Sequence, residues 1–226
     1  MRIKGILLSI LAGLSFIAMA QNNPYAPVPG LRASYMGSLI YPGFTVGVEK
    51  PFKITEVKKL RSKGLKTIYT EQYWGAGLAM YHQPYFHTNY MLQASWMHIV
   101  QKTSGLYFET GLGLGLSRTF INSATYKVND DGNVEKVPVP GNFYGVLNLG
   151  RGIGYNFSMK QNKPLKAFVK FDGMIFFPYQ KFLYLRPAIE LGAVYNIQGW
   201  DNNLKKNFKT KKRKGLFYKT VSDKND

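Results

Sequence analysis

The sequence predicts an all-β chain: a closed, antiparallel, up-and-down transmembrane β-barrel of about eight strands, preceded by a cleaved signal peptide. Three observations carry this. The first is the stretch Gly105–Phe120, where Leu106, Phe108, Leu112, Leu114, Leu116 and Phe120 take one parity. Tyr107, Glu109, Gly111, Gly113, Gly115, Ser117 and Thr119 take the other, which in a strand is the opposite face. The second is composition: 16 Tyr, 15 Phe and 23 Gly among 226 residues suit strands and turns better than a helical bundle. The third is that, beyond the N-terminus, no window approaches the ~18 consecutive apolar residues of a membrane helix. A membrane protein with this sequence crosses as strands.

The N-terminus reads as a secretory signal. Arg2 and Lys4 form a charged region, Gly5 to Ile17 an apolar core, and Ala18-Met19-Ala20 a cleavage site, so residues 1–20 are set apart from the fold. Residues 21–30, rich in Pro, form an irregular periplasmic leader. The chain has no cysteine, so no disulfide framework supports it. About two hundred mature residues suit one domain. The formal charge of +18 falls by two, to +16, when Arg2 and Lys4 leave. In an exported protein this excludes nucleic acid as the partner. It directs attention to lipid head groups, lipopolysaccharide phosphates and acidic envelope polymers.

Residues 31–41 form a weak first strand, and Pro42-Gly43 turns the chain into a second, 44–52. The segment 53–66, with Lys53, Lys58, Lys59, Arg61, Lys63 and Lys66, has no useful period and is expected to be a solvated connection. Strand 67–82 places Tyr69, Glu71 and Tyr73 opposite Ile68, Trp74 and Leu78, and strand 88–101 places Tyr90, Leu92 and Trp96 opposite Asn89, Met91 and Met97. Lys102 to Gly105 is a tight hairpin into strand 106–120. The longest loop, 121–141, holds Asn129-Asp-Asp-Gly-Asn133, which suits a small hairpin tip and lacks the later acidic ligands of a calcium loop.

Strand 142–157 repeats the opening pattern, with Arg151 on the apolar parity, where a bulge is expected to correct it. Strand 165–177 turns Lys170 and Asp172 inward, and strand 182–198 turns Arg186 and Glu190 inward. Pro187, lacking a donor, fits a closed barrel poorly. The barrel therefore occupies 31–198, and 199–226 is a basic C-terminal tail centred on Lys211-Lys-Arg-Lys214, expected to be mostly disordered. The short segment Leu216-Phe-Tyr218 within it has the composition of a strand or an apolar foot.

With both ends in the periplasm, the connections 42–43, 83–87, 121–141 and 178–181 face outside, and 53–66, 102–105 and 158–164 face the periplasm. The charges sort the same way, with Asp130, Asp131 and Glu135 outside. Lys58, Lys59, Arg61, Lys63, Lys211, Lys212, Arg213 and Lys214 form a basic periplasmic face. That face is expected to meet anionic lipid head groups or an acidic envelope partner.

The signal segment, the eight alternating strands and three motifs resemble the small outer-membrane β-barrel proteins of Gram-negative bacteria. The motifs are Gly105-Leu-x-x-Glu109-x-Gly-x-Gly-x-Gly115, Tyr126-x-Val128-x-Asp130-x-Gly132 and Gly150-x-Gly-x-Gly154-Tyr155. The resemblance covers 31–198 and implies a location in the outer membrane, among its lipid. It implies no particular activity, since the class includes membrane-stabilising proteins, adhesins, secretion accessories and a few lipid-A enzymes.

An eight-stranded barrel has an interior just wide enough to be filled by side chains, and buried charge must be paired. Glu71, Glu109, Lys170, Asp172, Arg186 and Glu190 are therefore expected to form an interior polar network, Lys170 and Arg186 pairing with carboxylates. The glycine rows 111/113/115 and 150/152/154 would make room for them; the functional alternative is a narrow polar conduit or gate. Neither glycine row leads from a strand into a helix, so neither is a phosphate loop. The three histidines, His82, His87 and His98, form no metal motif, and no cofactor is expected. His87-Thr88-Asn89 superficially resembles the His/Ser/Asn surroundings of lipid-A deacylating barrels at an unmatched spacing, with Thr88 as the nucleophile. The leading expectation is a monomeric barrel with a structural or interaction role. The alternatives are a barrel enzyme acting on lipid acyl chains, and a soluble periplasmic barrel or sandwich.

Overall fold

The computed structural model describes residues 25–37, 42–61, 64–179, 182–198, 204–214 and 217–224. The signal segment 1–20 and the first part of the leader lie outside the described residues. Nearly everything described is β-strand, in the order β1 (Gly30–Gly37), β2 (Gly43–Arg61), β3 (Gly64–Gln83), β4 (His87–Lys102), β5 (Leu106–Ile121), β6 (Tyr126–Val128) and β7 (Val134–Lys136). There follow β8 (Phe143–Asn156), a single helical turn α1 (Ser158–Gln161), β9 (Leu165–Tyr179), β10 (Phe182–Asn196), β11 (Lys205–Lys214) and β12 (Phe217–Lys224).

The large sheet has a barrel-like topology. Its order is β1-β10-β9-β8-β5-β4-β3-β2-β11-β12, and β1 bonds β10 along one side and β2 along the other. Consecutive long strands are antiparallel neighbours, as short connections require. At Gly105, φ is +95° and its N–H donates to the Lys102 carbonyl at 3.0 Å, which closes the tight turn between β4 and β5. Within the long loop, β6 and β7 form a small hairpin around Asn129–Asn133, so the Asp-Asp-Gly cluster is a turn tip.

Four expectations change. The segment 53–66 is not a solvated connection: β2 runs on to Arg61 and β3 starts at Gly64, paired rung for rung from Lys53–Gln72 to Arg61–Gly64. A shift at Phe52, between Pro51 and Lys53, hid this continuation by breaking the period of two. The segment 199–226, expected to be disordered, contributes β11 and β12. Strand β11 lies parallel to β2, from Lys205–Lys53 to Lys212–Leu60, and β12 pairs back on β11. Together these strands make a basic apron along the second half of β2, where cross-strand hydrogen bonding overrides a composition that discourages structure.

Arg151 is the third change. The β5–β8 and β8–β9 ladders pass through it without a bulge, pairing it with Thr110 and Phe171, and its side chain is exposed on the apolar face. Pro187 is the fourth: β10 runs through it without a break, pairing it with Gly173 of β9.

Inside, alternate residues pack in layers. Toward the end where β2 begins and β3 finishes, Met36, Ala79, Tyr81, Met91, Val146, Met174, Phe176 and Ala188 form one buried apolar cluster. Toward the other end, Tyr73, Met97, Ile99, Tyr107, Phe168 and Val194 form a second. A side chain at Gly154 would collide with the Tyr107 ring, whereas one at Gly173 meets nothing nearer than the Leu149 carbonyl at 3.8 Å. Gly154→Ala is therefore expected to cost about 1–3 kcal/mol and Gly173→Ala almost nothing, read as the shift of the circular-dichroism melting midpoint.

Candidate functional site

The chemistry-bearing residues converge on the inward face, and the centre of that face is Arg32. It stands on β1 at the parity of Ser34 and Met36, between the ends of β10 and β2. Its guanidinium lies 3.0 Å from Glu109, 3.3 Å from Glu49 and 3.6 Å from Glu190, and stacks over the Phe168 ring at 3.8 Å. Three carboxylates from three strands thus close on one planar cation, whose fork of donors matches such a cage.

Two lysines extend the network. Lys170 lies 2.6 Å from Glu190 and 3.2 Å from Asp172. Lys166 donates to Glu49 at 3.2 Å and to the Tyr73 hydroxyl at 3.2 Å, and Tyr73 donates on to Glu71 at 2.8 Å. Ser34 donates to Glu190 at 2.6 Å. Space for these side chains comes from glycines: a Cβ at Gly150 would strike Asp172 and one at Gly152 would press on Lys170 at 3.0 Å. The Gly111/Gly113 row instead borders a residual cavity of about 70 Å³ beside Arg32, Lys170 and Asp172.

Of the six residues expected in an interior network, Glu71, Glu109, Asp172, Arg186 and Glu190 are buried, and Lys170 is nearly so. Lys170 stands within the ionic cluster. Arg186 places its guanidinium 3.4 Å over the Tyr81 ring, beside the apolar layer of Met36, Met91 and Phe176. Sequence reasoning missed Arg32, Glu49 and Lys166. Lys166 shares the parity of Lys170 and Asp172, so the same alternation reached it; Arg32 and Glu49 lay in strands whose faces were not sorted.

Where β3 turns into β4, a cavity of about 400 Å³ opens beside that apolar layer, lined by His87, Asn89, Thr119, Tyr144, Tyr184 and Arg186 among others. Here the expected His87-Thr88-Asn89 constellation comes apart. His87 and Asn89 face this cavity, but Thr88 points to the other face and bonds His82 Nδ1 at 2.9 Å. Adjacent strand residues cannot share a face, so Thr88 is not placed to attack with His87 as its base.

The expected basic face divides between elements. Lys58 is half-exposed and lies 3.4 Å from Glu56; Lys59 sits on β2, opposite Lys66 of β3 and Lys211 of β11. Arg61 ends β2, Lys211, Lys212, Arg213 and Lys214 belong to β11, and Lys63 lies outside the described residues. The leader also participates: the Tyr25 ring packs 4.9 Å from Tyr69, and Asn156 donates to its hydroxyl at 3.4 Å, below the ionic cluster.

No family model matches the chain, and no curated protein matches it. Among solved structures, it is similar to Neisserial surface protein A at 13% identity and a TM-score of 0.40, over 75% of this chain and 96% of that one. A second likeness is to the β domain of the Bordetella autotransporter BrkA, at 12% identity and a TM-score of 0.31, over 76% and 100%. Likenesses at this level assign no family.

Breaking the hub should be costly. Arg32→Met strands three buried carboxylates and is expected to destabilise the protein by about 3–5 kcal/mol, measured by urea titration of tryptophan fluorescence. Adding Glu109→Gln should restore part of that loss.

Proposed function

We propose that this chain is an integral outer-membrane protein: a closed, eight-stranded up-and-down barrel with a filled lumen, a structural or interaction role, and a basic periplasmic face. The observation that carries the reading is the inversion of inside and outside. Leu114, Leu149, Phe171 and Ile189 are 51–61% exposed, while Glu71, Glu109 and Asp172 are 0–3% exposed. In water that distribution is unfavourable on both counts; in a bilayer, lipid covers the first set and the lumen pairs the second.

The pairings support closure. From Asn196 the hydrogen-bonded partners run through Gly30, Glu49, Gly75, Ser95, Gly113, Asn148 and Met174, and return to β10 at Arg186, ten residues along the same strand. Eight strands with a stagger of ten give a tilt of about 40°, within the range of closed barrels. Strands of 14 to 16 residues such as β8 and β5, so tilted, exceed the ~25 Å apolar band and leave both ends in water. Aromatic residues lie near both rims of the outward face: Tyr90 beside Phe120 at one, and Trp74, Trp96 and Tyr155 toward the other.

The lumen is built for stability. The ionic cluster and the apolar layer above it fill the interior, so a structural or interaction role follows more readily than conduction. Interaction falls to the apron, whose lysines suit an anionic partner on the periplasmic side.

Cell fractionation with gel mobility before and after boiling tests the reading. The protein is expected in the detergent-soluble outer-membrane fraction, running faster unboiled than boiled. Recovery in the soluble periplasmic fraction without such a mobility shift would refute it.

A further inference from the structure

We propose that the outward face of β4, β5 and β8 carries a binding site for the phosphate of an anionic phospholipid in the periplasmic leaflet, held between Arg151 and Lys102. The proposal rests on the membrane reading above. Its starting point is a charge in the wrong surroundings. Arg151 is exposed on the apolar face, five residues from the Asn156 end of β8 and eight from the Phe143 end, which places it in the periplasmic half of the belt. Along its own strand its outward neighbours are Leu149 and Ile153, and Phe171 lies beside it on β9.

A lipid-facing arginine at that depth must reach toward the head groups and find a counter-charge. Among the described residues none comes from the protein. The ring carboxylates Glu49, Glu71, Glu109, Asp172 and Glu190 are all buried on the inward face. Among the described residues, the Arg151 guanidinium has no ion pair.

Polar groups lead from the periplasmic rim to it. The register sets His98, Thr110 and Arg151 in one row across β4, β5 and β8. Below that row, at the rim, Lys102 stands with its ammonium 5.0 Å from the Phe108 ring centre, on the same face. Trp96 stacks against His98, with ring centres 6.1 Å apart, and fixes the upper edge. Two cations, a hydroxyl and an imidazole thus surround a patch floored by Phe108 and Ile153, which are paired directly across the strands. The cations and donors suit a phosphodiester, and the apolar floor suits the first carbons of its acyl chains. Net negative charge on the lipid is required because a zwitterionic head group brings its own cation to two already present.

Native mass spectrometry of the full chain in neutral detergent, with added phosphatidylglycerol or phosphatidylcholine, tests this. Wild type is expected to retain phosphatidylglycerol in preference to phosphatidylcholine. Arg151→Leu and Lys102→Gln are each expected to lower that occupancy about fivefold, with phosphatidylcholine unchanged. Excess inorganic phosphate should leave the lipid bound; complete displacement would mean that only a free anion site exists. Equal retention of both lipids by wild type, or undiminished phosphatidylglycerol in both variants, overturns the proposal. Leucine suits a lipid-facing strand, so Arg151→Leu should fold, and Lys102→Gln decides the matter if it does not. Gel mobility before and after boiling is read on the same samples. A normal shift with lost preference sinks the lipid site alone, and an absent shift in wild type sinks the membrane reading with it.

Discussion

The interior depends on one constraint: a charge removed from water must be met by an opposite charge at short range. Arg32 answers it for Glu49, Glu109 and Glu190 together, and those carboxylates belong to β2, β5 and β10. A single guanidinium therefore ties strands that are far apart in sequence, β1 at the start of the fold and β10 at the close of the ring. Lys166 and Lys170 repeat the arrangement from β9. An apolar filling would pack as densely, but it would not fix which strands stand opposite one another so narrowly. The ionic filling does, since any slip by one residue turns the charged set outward.

Much of this architecture was legible in the sequence because alternation is simple physics. Leu112 and Leu114 against Glu109 and Gly113 declare two faces in one short stretch, and the glycine row at 150/152/154 announces long side chains opposite. What escaped had identifiable causes. The bulge beside Phe52 flips the parity of everything after it, so Ile54, buried at 7% exposure, read as part of a featureless lysine segment. The pairing of β11 with β2 joins residues 152 positions apart at Lys205 and Lys53, and no local pattern reports a parallel partner at that distance. Arg32 was missed because a strand of eight residues offers too few alternations to sort. At Arg151 the error ran the other way: an exception to the pattern was expected to be repaired, and the chain kept it.

The two charged regions differ in kind. On the inward face, Arg32, Lys166 and Lys170 pair with Glu49, Glu109, Asp172 and Glu190, Glu71 accepts from the Tyr73 hydroxyl, and the contribution of the set is positional. On the apron, cross-strand rungs bring the positions of Lys66, Lys59 and Lys211 into register, and Lys58 meets Glu56 at 3.4 Å. Like charges at neighbouring positions are tolerable where water screens them. The inward network explains how the fold holds.

The apron also ends differently from the ring. Among the described strands, β12 has a partner on one side only, through β11, so a row of backbone donors and acceptors faces outward along it. Such a border invites any extended peptide to add itself as a further strand, including the same segment of a neighbouring molecule. The density of lysine along β11 and β12 discourages that growth, much as charged residues guard exposed borders elsewhere. Neutralising those lysines would lift the guard and favour self-association along that border.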